Sequence, residues 1–375
     1  MTSLPAPIPA PLLPLDADPR TATGRTLGWG IVSTGRIAEK VTPDIALLED
    51  ARLVAVSSRS QEAAEDFARR LGVERAYGDE TTTAAAGRVP ATGLERMLAD
   101  PEVDVVYVAT PHGQHAEHAR AALEAGKHVV CEKAVTINAA ELRGLLDLAR
   151  AKGLFFMEGL WTRFQPGVQR IMALVADGVV GTPEWIQSSL GFVAPADPDH
   201  RIWRVDAGGG ALLDLGVYVL HWPWAVFGFP TQVDATARRT ASGVDELTGL
   251  TGVFEGGHMA QMQMSLVSDC PSTAVISGSG GTLVVEKPLH APRTARIVRT
   301  PAGARLTGQD APAEEVLTFE LEGKGYVYEM REATTRIQLG DTESPVMSWA
   351  DSLRQMELFD SIRESIGVVY PNDEA

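Results

Sequence analysis

Leu27-Gly-Trp-Gly-Ile-Val32, running directly into Ser33-Thr-Gly-Arg-Ile-Ala38, decides how this chain folds. The first six residues form an apolar run of strand length, and the next six place small residues where a strand must turn sharply into a helix. A dinucleotide-binding fold needs that arrangement, because backbone N–H groups and the helix N-terminus must reach a pyrophosphate. Its consensus is G-x-G-x-x-G/A. The register Gly28-x-Gly30-x-x-Ser33 falls inside the apolar run and is rejected. Ser33-x-Gly35-x-x-Ala38 straddles the junction, with Ser, small and able to donate to a phosphate, in place of the first Gly. Ser33, Thr34, Gly35, Arg36 and Ile37 are therefore the candidate phosphate-facing turn.

The series that follows has the matching rhythm. A helix is expected over 36–48, a strand over 52–57, a helix over 61–71 closed by Gly72, and a strand over 103–109 leading to Thr110-Pro111-His112. A helix ending near Glu124, a strand over 128–131, a helix over 138–152 with Asn138 as N-cap and Glu141 three residues on, and a strand over 154–157 complete it. Strands alternating with helices predict a Rossmann-type, doubly wound parallel sheet over 27–158. The Ala/Thr-rich stretch 81–93 reads as a loop insertion. Beyond 160, after helices at 165–177 and 208–227, strands dominate at 232–240, 247–254, 258–267, 273–278, 282–285, 295–299 and 315–319. Turns such as Glu255-Gly-Gly and Gly278-Ser-Gly-Gly favour antiparallel hairpins. Helices return from Tyr326 and over 348–366. The expectation is an α/β chain whose second domain, 159–345, is α+β with an open, mostly antiparallel sheet. The Pro-rich 1–26 reads as a flexible arm, and 346–375 as a C-terminal helix packing back on the first domain.

Composition narrows the partners. A formal charge of −16 lacks the basic patch that a nucleic-acid surface requires and disfavours an anionic membrane. No apolar run approaches the roughly 18 residues of a membrane span. Residues 1–26 have no secretory pattern, so the expected address is the cytoplasm. Cys131 and Cys270 are too few for a disulfide framework and read as small buried hydrophobes. The histidines at 112, 118, 128, 200, 221, 258 and 290 show no recurring ligand spacing; they read as structural or solvated, and no metal site is expected.

Two local readings bear on chemistry. The strand ending Val56-Ser57-Ser58-Arg59-Ser60 carries no acid before Glu62. A carboxylate there would take the ribose 2′-hydroxyl of NAD, whereas a 2′-phosphate needs a cation. Ser58 and Arg59 thus favour NADP over NAD, against the plain alternative of a solvated arginine at a helix start. In Gly208-Gly-Gly-Ala-Leu-Leu-Asp-Leu-Gly-Val-Tyr218, Asp214 and Tyr218 stand four apart and share one helix face. They can position an alcohol and take its proton. Taken alone, the segment reads as readily as a buried core helix whose Tyr has a hydrogen-bonded tip. Lys133, at the end of the fifth strand, supplies a cation beside the cleft where such sheets bind ligands. An ammonium close to a phenol favours the phenolate.

Gly30-Ile-Val-Ser-Thr-Gly-Arg-Ile-Ala38, Ala109-Thr-Pro-His-Gly-Gln-His115, Cys131-Glu-Lys133 and Gly209-Gly-Ala-Leu-Leu-Asp-Leu-Gly-Val-Tyr218 occur in this order. Together they resemble the glucose–fructose oxidoreductase / inositol dehydrogenase (Gfo/Idh/MocA) family, from residue 27 to the C-terminus. Met157-Glu-Gly-Leu-Trp-Thr-Arg-Phe164 is most similar to the branch of dimeric dihydrodiol dehydrogenase and NADP-dependent D-xylose dehydrogenase. The resemblance implies hydride transfer between NADP and a sugar, polyol or cyclic diol. It implies Lys133 beside the nicotinamide and the reacting hydroxyl, Tyr218 as acid/base and Asp214 as the family's helical Asp. It implies further that Thr110, Pro111, His115 and Glu132 line the cofactor, with Trp161 and Arg163 in the wall of the site. The chain departs from the family at Ala134, where the motif has Pro; a cis peptide, common before Pro, is not expected before Ala. A homodimer or homotetramer is expected, because an open sheet leaves a face that needs cover. Two rivals remain: a catalytically silent NADP-binding sensor, against which Lys133, Asp214 and Tyr218 argue, and a self-recycling sugar oxidoreductase with tightly held NADP.

Overall fold

The computed structural model describes residues 9–12, 14, 16–80, 91–300 and 313–373. They separate into two compact units, Pro11–Trp161 with Glu322–Leu353 and Thr162–Leu321 with Arg354–Ala375.

In the first unit six strands, β1 (Leu27–Val32), β2 (Ala51–Ser57), β3 (Arg75–Tyr77), β4 (Val105–Val108), β5 (His128–Glu132) and β6 (Phe156–Gly159), form one sheet in the order β3-β2-β1-β4-β5-β6. Every pairing is parallel. Helices α1 (Arg36–Ile45), α2 (Gln61–Leu71), α3 (Gly93–Leu98), α4 (His115–Glu124) and α5 (Ala139–Lys152) connect the strands. Covered on both faces, β1 and β4 are buried at every position, which is why they read as unbroken apolar runs. The strand order reverses between β1 and β4, and such a switch point opens a crevice at the C-terminal strand ends. The expected N-cap is present: Asn138 Oδ1 accepts the Glu141 N–H at 2.9 Å. Ser60 caps α2 by accepting from Ala63 N–H at 3.2 Å.

Three expectations about boundaries change. Residues 81–90 of the expected insertion lie outside the described residues, but Thr92 caps α3 in a reciprocal box with Glu95, so Gly93 opens a helix. The expected free arm is tied down where it is described, residues 1–8, 13 and 15 lying outside. Leu12 N–H donates to Glu332, Thr23 N–H to Asp50, and Arg331 Nε to the Pro19 carbonyl. Third, α8 (Val327–Leu339) belongs to this unit rather than to the second. Its N-terminal amides explain why: Lys324, Tyr326 and Val327 N–H all donate to the buried Asp44 carboxylate, at 3.0, 2.8 and 3.2 Å.

The second unit holds α6 (Pro166–Ala176), β7 (Pro183–Gly191), α7 (Ala211–Phe227), β8 (Gln232–Arg239), β9 (Asp245–Val253), β10 (Met259–Ser265), β11 (Ala274–Gly278), β12 (Gly281–Val285), β13 (Thr294–Arg299) and β14 (Ala313–Thr318). The eight strands form one sheet in the order β14-β13-β12-β11-β7-β10-β9-β8, antiparallel except where β7 meets β10. The seven expected strands are present; the eighth, β7, was not foreseen. Helix α7 packs across β7, β9 and β10. Helix α9 (Trp349–Ile366) corrects the expected C-terminal packing: only its residues through Leu353 group with the first unit. Beyond them it serves the second, where the Arg354 guanidinium stands 4.4 Å over the Phe229 ring and the Tyr370 hydroxyl donates to the Gly209 carbonyl. Among the described residues no helix is long and apolar enough to cross a membrane.

Candidate active site

The turn after β1 is built to receive an anion. Gly35 is the N-cap of α1 and carries no side-chain cap, so the first helical N–H groups face outward along the helix dipole. Ser33 stands at φ +96, a left-handed conformation that favours glycine. Its Oγ accepts the Gly35 N–H at 3.0 Å, a local bond that offsets part of the strain of about 1–3 kcal/mol. At the end of β2, Ser58 is half-buried and Arg59 is exposed. The first acid comes only with Glu62 in the first turn of α2.

At the ends of β4 and β5 the candidate residues turn inward more than expected. His115 was expected to line a cofactor, yet it is 0% exposed. Its Nδ1 lies 2.9 Å from the Ala134 carbonyl and its Nε2 2.7 Å from the Thr110 carbonyl. Burial lowers its pKa to about 4, outweighing both carbonyls, which by themselves favour the imidazolium. The neutral ring has one N–H to donate to one of the two carbonyls, and it is turned into backbone rather than toward a ligand. Glu132 is also nearly buried; it accepts the Tyr107 hydroxyl and the Lys133 N–H. Behind it, Glu329 of α8 is fully buried, with neither oxygen hydrogen-bonded among the described residues. Burial, then the Glu132 and Asp44 charges, push its pKa well up. Trp161 stacks on Tyr326, ring centroids 4.2 Å apart. The Lys133–Ala134 peptide is cis, contrary to the expectation from Ala: Ala134 is fully buried and the carbonyls on both sides of the bond are held by imidazoles.

In the second unit, two of the three glycines before α7, Gly209 and Gly210, admit the chain where side chains would collide. A Cβ on Gly210, at φ +115, would sit 2.3 Å from Asp245 Oδ1, and one on Gly209 would sit 2.4 Å from the Ile202 carbonyl. Asp245 Oδ2 accepts the Leu212 N–H at 2.8 Å and so closes the helix start. All of α7 is buried, but Asp214 and Tyr218 keep 9% exposure each where Leu213, Val217 and Val219 have none. The two polar groups thus stand at the rim of a core helix. Arg201 Nη2 donates to Asp214 Oδ1 at 3.3 Å, and the Tyr218 ring lies 5.0 Å from that of His290. Arg163 sits 4.1 Å over the Trp224 ring.

The structure thus gathers Ser33–Ile37, Ser58, Arg59, Thr110, Pro111, His115, Glu132 and Lys133 at the C-terminal ends of neighbouring parallel strands, and Asp214 with Tyr218 on one helix of the other unit. Sequence reasoning missed Tyr107 and Glu329. The first lies in an unbroken apolar strand, and the second is 197 residues from Glu132.

Comparison with known proteins adds the following. Residues 27–160 match the model of an oxidoreductase family with an NAD-binding Rossmann fold, GFO_IDH_MocA, and residues 168–284 match the GFO/IDH/MocA C-terminal domain. The trans-1,2-dihydrobenzene-1,2-diol dehydrogenase of Sus scrofa is 32% identical over 352 residues, covering 93% of this chain and 99% of that protein. The D-xylose 1-dehydrogenase (NADP(+)) of Hypocrea jecorina is 34% identical over 379 residues, covering 92% and 93%. Among solved structures, a 3-ketoreductase from Actinomadura kijaniata in complex with NADP and TDP-benzene is similar with a TM-score of 0.77 at 25% identity, covering 91% of this chain and 98% of that one.

Proposed function

Because the chain belongs to the Gfo/Idh/MocA oxidoreductase family, we propose that it interconverts the CH–OH group of a sugar or cyclic diol with its carbonyl, using NADP. The observation that carries the reading is the pairing of an α1 N-terminus without a side-chain cap with a β2 exit free of carboxylates. The first suits a pyrophosphate and the second a 2′-phosphate. The residues present fit the cofactor: Ser33–Ile37 for the pyrophosphate, Ser58 and Arg59 for the 2′-phosphate, Thr110 and Pro111 along the β4 exit. Bound NADP supplies the hydride acceptor. The chain's own work is to orient the alcohol and move one proton. In this reading Lys133 orients the hydroxyl and favours the Tyr218 phenolate, Tyr218 Oη accepts the proton, and Asp214, held by Arg201, keeps the group in place. A panel of aldoses and cyclic diols with NADP and NAD, followed at the absorbance of the reduced cofactor, tests the reading. No turnover across the panel, with NADP bound, would leave a sensor.

Arg59→Ala should weaken NADP roughly tenfold or more, since a guanidinium–phosphate contact contributes about 1.5–3 kcal/mol. NAD binding should stay nearly unchanged. A wild-type protein that prefers NAD in the same titration removes the argument from β2.

We infer further a homo-oligomer and a cytoplasmic address. On β7, Trp185, Gln187 and Ser189 alternate with the buried Ile186, Ser188 and Leu190 and point away from α7. A half-exposed sheet face of this kind supports self-association through the second sheet. Sedimentation showing only a 40.1 kDa species at micromolar concentration would exclude it. Cell fractionation tests the cytoplasmic address.

A further inference from the structure

One short segment, 112–118, turns two imidazoles into backbone and a third onto a threonine hydroxyl. His112 Nε2 lies 3.1 Å from the Lys133 carbonyl. His115 Nδ1 lies 2.9 Å from the next carbonyl, that of Ala134, and its Nε2 2.7 Å from the Thr110 carbonyl. His118 Nδ1 lies 3.1 Å from Thr110 Oγ1. The rings of His112 and His115 meet edge to face with centroids 5.5 Å apart, so neither can tilt without displacing the other. Both are buried, at 4% and 0% exposure. They offer almost no surface to a bound molecule, so a polar contact with ligand does not explain them.

We propose that His112 and His115 are positioning residues that fix the backbone of Lys133 and thereby aim its ammonium. The Lys133 side chain is long and flexible, so where its charge stands depends on where its Cα and peptide plane are held. Two consecutive carbonyls, each facing a buried imidazole, set that plane from the β4 exit, independently of any cofactor. A displacement of about 1 Å at a reacting group can lower a rate on the order of 10²-fold. The inference rests on the role given to Lys133 under the proposed function, and adds to it the device that places the lysine.

The test is a cycle. His112→Leu removes the donor, His112→Gln keeps an N–H of similar reach, and each is made with Lys133 intact and as Lys133→Met. The expected result is a kcat roughly 10–100-fold lower in His112→Leu, with KM for NADP within about twofold of wild type and most of the loss restored in His112→Gln. In the Lys133→Met background His112→Leu should have no further effect, because it acts through the lysine. Without any nucleotide, hydrogen exchange over residues 131–136 should quicken in His112→Leu and stay near wild type in His112→Gln. If His112→Leu does not fold, His112→Phe, a ring without a donor, takes its place and is judged identically. Unchanged kcat in the donor-free variant, or an equal loss in both lysine backgrounds, overturns the inference while leaving the proposed function standing. Full turnover by Lys133→Met overturns both.

Discussion

Tyr218→Phe is expected to lower turnover on the best substrate by about 10²–10⁴-fold, the usual contribution of general acid–base catalysis. Only a hydroxyl is removed. The ring stays packed 5.0 Å from His290, and Tyr218 contributes to a helix whose other sixteen positions are untouched. NADP affinity and thermal stability should therefore hold while kcat collapses. Lys133→Met should also lower kcat, and the two losses should combine far below additivity if the pair acts as one unit. A Tyr218→Phe protein with wild-type turnover, measured where chemistry limits the rate, would falsify the assignment. A variant that unfolds would instead make Tyr218 a core phenol whose hydrogen bond holds the helix.

Arg331→Met should cost about 3–5 kcal/mol of folding stability, the penalty for leaving one partner of a buried ion pair alone. Arg331 and Asp50 are each 1% exposed. The guanidinium grips both carboxylate oxygens, at 2.6 and 3.0 Å, and Asp50 also accepts from Thr23 N–H and Gln338. Burial by itself would raise the Asp50 pKa; the Arg331 contact, with Gln338 and Thr23, outweighs it and holds the group well below the usual carboxylate range. A carboxyl depressed in the folded state contributes its stability above the unfolded pKa of ~3.9 and loses it as pH falls through the folded value. The wild-type contribution is thus intact at neutral pH and fades only in strong acid. Urea titration should show a lower midpoint for Arg331→Met at unchanged slope. Replacing both partners, Asp50→Leu with Arg331→Met, should cost less than the single change. A single variant within about 1 kcal/mol of wild type contradicts the account.

The parallel sheet was legible because its strands are buried on both faces and read as β-branched apolar runs between small-residue turns. Strand β7 was not: one of its inward positions is Ser188, whose hydroxyl bonds the Val219 carbonyl, and this polar residue breaks the alternation that would have announced it. Strand β3 is only three residues long, too short to show any period. The site was legible as far as motifs carry identity and spacing. Asp214 and Tyr218 share a face because helices repeat that way. No spacing rule distinguishes an imidazole turned toward ligand from one turned into backbone, so the burial of His115 against the Thr110 and Ala134 carbonyls could not be read from its motif. The pairing of Arg201 with Asp214 depends on how a loop returns to a helix, which local pattern does not encode. The division of α9 at Leu353 is equally invisible in sequence, since it is set by contacts with residues more than a hundred positions away.

The discontinuous first unit also sets a timetable for synthesis. Asp44 and Asp50 leave the ribosome early, but the amides and the guanidinium that satisfy them follow 280 and 281 residues later. At roughly 5–20 residues per second, that delay is on the order of tens of seconds. Throughout it the nascent parallel sheet exists without α8, and two carboxylates destined for burial must remain hydrated. The first unit is thus begun early and closed only when residue 353 emerges, after most of the second unit has been made, so the growing polypeptide depends on whatever shields an unfinished sheet until then.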